Sequence, residues 1–199
     1  MSTKRTPARE RLLDAAGELF YRDGIRSVGI DAVIEHAGVA KMSLYKHFRS
    51  KDELIVAYLE RREQRWREHF EAQMRDTAGA PADRVLAVFD VLARWTEHEN
   101  PRGCAFINAY VELADTSHPG NAVAHADKQW LRGYLTELVA ESGAAQPELL
   151  GSQLFLLLEG ALVTTAMGSV DDAMGSARAA AELLLEVRAS RAGTPGGPS

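Results

Sequence analysis

Apolar residues in this chain recur at three- and four-residue spacing, and none alternates with period two over a useful length, so the pattern predicts helices throughout. Leu12, Leu13, Ala16, Leu19 and Phe20 share one face of a helix over residues 8–23, which Gly24 stops. Ile30, Val33 and Ile34 form a second face. After the turn Ala37-Gly38-Val39-Ala40, Leu44 and Phe48 form a third. Two short helices joined by a glycine-containing turn of that length make a helix-turn-helix, whose second helix fits a major groove. Ser50 with Glu53 three residues on is a capping box. It opens a long helix from Lys51 to about Met74, apolar near its start (Leu54, Ala57, Tyr58) and charge-paired farther on.

Beyond Thr77, the sequence Ala-Gly-Ala-Pro81 breaks the pattern, and Pro81 suits the first turn of a new helix running to about Glu99. A short, very apolar helix is expected over Cys104–Leu113, an amphipathic one over Asn121–Glu141, and further helices over Glu148–Met167, opened by Pro147, and Asp171–Val187. The Glu148–Met167 helix is apolar nearly all round, so every face needs cover. In so small a body that cover is expected from a second copy, four helices packing across a twofold axis, with Gly151, Gly160 and Ala161 allowing close approach. The alternative is a monomer with a buried central helix. The tail Ser190–Ser199 reads as disordered by composition.

Net charge refines this picture. The chain of 199 residues carries −5 overall, but residues 1–50 hold nine Lys/Arg against six Asp/Glu, a net +3, while the rest holds 14 against 22, a net −8. A modestly basic head on an acidic body suits a DNA-reading module attached to a different domain. No run was expected to reach the ~18 apolar residues that span a bilayer. The polar N-terminus shows no signal-peptide core, so the chain is expected to stay in the cytoplasm. The single cysteine, Cys104, excludes an internal disulfide.

The order A-G-V, then L-Y-x-H-F, then S-K-x-E-L, within AGVAKMSLYKHFRSKDEL, resembles the TetR/AcrR family of transcriptional regulators. The resemblance covers about residues 8–55, with weaker echoes at residues 103–108 and 157–161. It implies an all-α fold: a three-helix helix-turn-helix DNA-binding head over residues 1–50, and a helical ligand-binding and dimerisation domain over 51–189. It implies a homodimer on a palindromic DNA operator, repression released by a small, mostly apolar effector, and no cofactor, metal or membrane partner. The DNA-binding set is Ser27, Gly29, Lys41, Met42, Ser43, Tyr45, Lys46, His47 and Lys51. Lys41, Met42 and Ser43 open the recognition helix, Tyr45 and His47 meet the DNA backbone, and Lys51 opens the fourth helix near a phosphate. Lys4, Arg5 and Arg26 are weaker phosphate candidates. Gly29, Ala40 and Met42 depart from the common Thr, Ser and Gly of the family pattern.

For the effector, the candidates are Phe89, Cys104, Ile107, Asn108, Val111, Trp130, Tyr134, Phe155 and Glu159, most of them equally readable as core. Asn108 and Glu159 interrupt apolar runs; they either satisfy each other or backbone groups, or orient a ligand. Cys104 reads more simply as a small buried hydrophobe than as a redox sensor. Glu112, Asp115 and His118 form a conceivable metal set, though a solvated helix end explains them more simply. No phosphate loop, nucleophile elbow or zinc spacing appears, so no enzyme is expected. The competing readings are a helical ligand-binding protein with a degenerate head and a regulator answering to a protein partner.

Overall fold

The computed structural model describes residues 7–192, and these form nine helices and no strand. They are α1 (Ala8–Asp23), α2 (Ile30–Ala37), α3 (Lys41–His47), α4 (Lys51–Arg75), α5 (Pro81–Glu99), α6 (Ala105–Glu112), α7 (Pro119–Glu141), α8 (Pro147–Met167) and α9 (Ala173–Ala192). Lys4, Arg5 and residues 193–199 lie outside the described residues. Ser190 to Ala192, expected in a disordered tail, continue α9 instead.

Helix boundaries follow local chemistry. Gly24 ends α1 at φ 91°, and Gly38 ends α2 in the left-handed region at φ 59°, conformations that a Cβ disfavours. Pro81 and Pro147 open α5 and α8 at positions where a missing N–H is harmless. Ser50 Oγ accepts from Glu53 N at 3.1 Å, but Glu53 reaches back to the Arg49 N–H at 2.7 Å, one residue earlier than a standard capping box. Phe48 lies beyond α3 in extended backbone and still reaches the core, so it shares a core with Leu44 without sharing its helix.

The chain packs as two units. The first comprises residues up to Trp66 together with Ala105–Asp127; the second comprises Arg67–Cys104 and the chain from Lys128 onward. This division by packing differs from the division by role drawn at residue 50, because the start of α4 and all of α6 pack with the head. In the first unit, Leu12, Leu19, Val33, Leu44, Phe48, Leu54 and Leu59 are buried. Glu112 of α6 accepts from the Arg26 N–H at 2.9 Å, across 86 residues of sequence.

In the second unit α9 packs along α5 and α8. Phe89, Leu135, Leu138, Leu150 and Leu154 form its interior. A Cβ placed on Gly151 would lie 2.3 Å from Thr136 Oγ1 and 2.8 Å from Thr136 Cα, so this glycine brings α8 onto α7 of the same chain. Gly160 is exposed with open space before it. Pro147–Met167 is long and apolar enough to cross a bilayer by length and composition, with a mean hydropathy of 1.5 over its best 18 residues. Core helices pass the same test.

Candidate nucleic-acid interface and effector cavity

The head is assembled so that one side of α3 is anchored and the other is free. Leu44 and Phe48 are buried with Val33 and Ala37, which fixes the roll of α3 against α2. Arg11, reaching from α1, donates through Nη1 to the carbonyls of Ala37 and Gly38, each at 3.1 Å. A cation there satisfies carbonyls left open at the end of α2 and opposes the negative end of its dipole. Arg11 therefore fixes the turn that aims α3, and no sequence pattern pointed to it.

The opposite side of α3 carries the expected residues. Lys41, Met42, Tyr45 and Lys46 are exposed, while Ser43 and His47 are half-buried. Met42 is 79% and Tyr45 47% accessible. Ser27 and Gly29 are exposed just before α2. Gly29 and Ala40 occupy N-cap positions without a side-chain capping bond, as their side chains require.

Two of the lysines are engaged within the head. Lys41 Nζ donates to Asp31 Oδ1 at 2.9 Å, and this bond with the Asp31 charge raises its pKa above the usual 10.5. Lys51 Nζ donates to the Ile25 carbonyl at 2.6 Å and lies over the Phe20 ring, 5.9 Å from its centroid. Burial lowers the Lys51 pKa, with the charges of Asp52 and Glu112 acting in the other direction. Asp31 was not among the expected residues; its exposure on α2 carries no signal that it would hold Lys41.

The expected effector residues are divided between the two packing units. Ile107, Asn108 and Val111 belong to the first unit and the other six to the second. Val111 is 71% accessible on α6. Trp130 and Tyr134 are aromatic packing partners, their rings set edge-on to Phe70 at 5.2 and 4.9 Å. Glu159 accepts from Lys128 at 2.9 Å, and the same ammonium lies 3.2 Å from Cys104 Sγ. Its partner is thus a lysine that sequence spacing gave no means of pairing with it.

A cavity of about 480 Å³ does open in the second unit, between α5, the end of α8 and the start of α9. Of the expected effector set, Phe89 lies on its wall. Ala93, Pro101, Val170 and Met174 add apolar surface, and Asp90, Glu97 and Arg178 add charge. Arg178 pairs with Asp90 at 3.0 Å. The conceivable metal set is dispersed into local bonds. Glu112 holds the Arg26 N–H, Asp115 accepts from Ser117, and His118 Nδ1 accepts from the Gly120 N–H.

Comparison with known proteins matches this arrangement. Residues 12–58 match the family described as bacterial regulatory proteins, tetR family, and residues 81–181 match the tetracyclin repressor-like C-terminal domain. A crystal structure of SCO4454, a TetR-family transcriptional regulator from Streptomyces coelicolor, is 33% identical, covering 92% of this chain and 96% of that one with a TM-score of 0.83. The HTH-type transcriptional repressor NemR of Escherichia coli is 30% identical over 110 residues, 55% of each chain. The HTH-type transcriptional activator FasR of Mycolicibacterium smegmatis is 46% identical over 57 residues, 29% of this chain and 26% of that one. The chain thus spans about half, or less, of the length of these curated relatives.

Proposed function

The chain belongs to the TetR family of transcriptional regulators, with a helix-turn-helix DNA-binding domain, and from that premise we propose that it is a homodimeric repressor released from its operator by a small, mostly apolar effector. The observation that carries this reading is the free side of α3, where Met42, Tyr45 and Lys46 are exposed around an anchored Leu44. In this reading residues 1–50 act as the head and 51–189 as the body, and the protein works in the cytoplasm. Lys46, Tyr45 and His47 meet phosphates, joined by Ser27, the Gly29 N–H and the spare donors of Lys41 and Lys51. Met42 and Ser43 face base edges.

The dimer rests on α8 and α9. Leu149, Leu156 and Val163 repeat every seven residues along α8 and are exposed together with Met167, while Leu183 is exposed on α9. Such a row seeks an apolar partner, and a twofold copy supplies one. Two recognition helices then enter successive major grooves about 34–36 Å apart. The 480 Å³ cavity beside Phe89 is the effector site supported best. An effector that favours a different head spacing weakens operator binding only through its difference in affinity between the two states, typically about 1–3 kcal/mol. The long helix α4, shared by both packing units, is the lever in this scheme.

DNase protection of the DNA flanking the coding sequence tests the reading. Two protected half-sites one helical turn apart are expected. Uniform, sequence-independent protection would contradict it.

A further inference from the structure

Met42 is the most exposed large apolar side chain among the described residues. It is the second residue of α3, three positions before Tyr45 and therefore on the same side of the helix. Lys41 and Lys46, both exposed, accompany it, so its surroundings suit a polyanion. The core beneath α3 is already filled by Leu44 and Phe48. An uncharged thioether therefore stands at the front of this surface, beside Lys41 and Lys46.

A major groove offers one prominent apolar group on its base edges, the C5-methyl of thymine; the other edge groups are hydrogen-bond donors and acceptors. Met42 has no donor for guanine O6 or N7. Its neighbour Lys41 gives one of its three donors to Asp31 at 2.9 Å, and in the reading above the others go to the phosphate backbone. An exposed apolar group without a donor favours thymine over guanine beneath Met42. We propose that Met42 is a specificity-determining residue that recognises one thymine per half-site through its methyl group. The inference rests on the reading that α3 enters the major groove, and it adds which base α3 selects there.

The test uses the full-length protein and a duplex enriched from a random library by that protein. Each thymine of one half-site is replaced singly by deoxyuridine, which removes the methyl and leaves every hydrogen-bonding group in place. Affinities for wild type and Met42→Ala are read by fluorescence anisotropy. One substitution should weaken wild-type binding about four-fold, the ratio that corresponds to burying one methyl-sized group. Met42→Ala should bind the parent and that uridine duplex equally. Because Met42 is exposed and Ala is a better helix former, the variant keeps its fold, which circular dichroism verifies. Uridine duplexes that all bind as tightly as the parent would overturn the inference, as would discrimination that survives in Met42→Ala. An enriched half-site without thymine overturns it equally. In each of these cases operator binding itself stands. A library that yields no enriched sequence refutes the operator reading and this inference together.

Discussion

Replacing Leu156 by glutamate places a carboxylate midway along the exposed row of α8. Leu156 is 68% accessible in the isolated chain, so most of its surface is available to a partner and little of it supports the protomer's own core. Full burial of a leucine contributes about 1.5–3 kcal/mol, so the accessible share is worth roughly 1–2 kcal/mol. A twofold axis doubles the effect. Losing roughly 2–4 kcal/mol corresponds to a dissociation constant about 30- to 1000-fold weaker. Two carboxylates without partners in an apolar interface weaken it further. Sedimentation equilibrium at micromolar concentration should show a dimer for wild type and a monomer for Leu156→Glu, with matching helical circular dichroism. The milder Leu156→Ser should fall between them. If Leu156→Glu sediments as the same dimer with the same dissociation constant, the α8 row is not the interface and the twofold reasoning fails.

Three further outcomes follow from the head and its surroundings. Asp31→Asn releases the Lys41 donor that Asp31 holds and removes a carboxylate from the DNA-facing side; operator affinity should rise, and more at low salt than at high. An unchanged affinity at low salt would show that this pair does not approach the DNA. Arg11→Ala removes both bonds that hold the α2–α3 turn, and should lower stability by about 1–2 kcal/mol and the melting temperature by roughly 2–8 °C, with weaker operator binding. Asp115 has its pKa lowered from 3.8, first by the Ser117 hydroxyl and then by the Ser117 N–H. A depressed carboxyl stabilises the fold above its unfolded pKa, and that contribution is lost as pH falls through the folded value. Ser117→Ala should therefore move the Asp115 titration, followed by NMR, upward toward 3.8, and an unmoved titration would place the cause elsewhere.

Helix placement was largely legible because its signals are local. Gly24, Gly38, Pro81 and Pro147 mark boundaries through backbone geometry that each residue carries with it, and the structure places helix ends at or beside all four. The two sides of α3 were legible for a similar reason: an apolar face defines its opposite. Relations between distant residues were not. Glu112 finds the Arg26 N–H from 86 residues away, and Glu159 finds Lys128 on another helix. Gly151 was read as a close-approach residue for a partner copy, whereas its neighbour is Thr136 on α7. Apolar periodicity distinguishes faces without saying what lies opposite each, so no sequence pattern brought Asp90, Asn100 and Met174 together on one cavity wall. The basic head on an acidic body survives as a property of composition; the packing places part of that body, α6 and the start of α4, with the head.

The account stands most directly on whether α3 meets DNA through its free side. Anisotropy titrations of an enriched operator duplex across a range of salt, with wild type beside Lys46→Ala, test this. With α3 on the DNA, the logarithm of the association constant falls linearly with the logarithm of salt concentration, and Lys46→Ala flattens that slope by about 0.9. Identical slopes and affinities for the two proteins would contradict it.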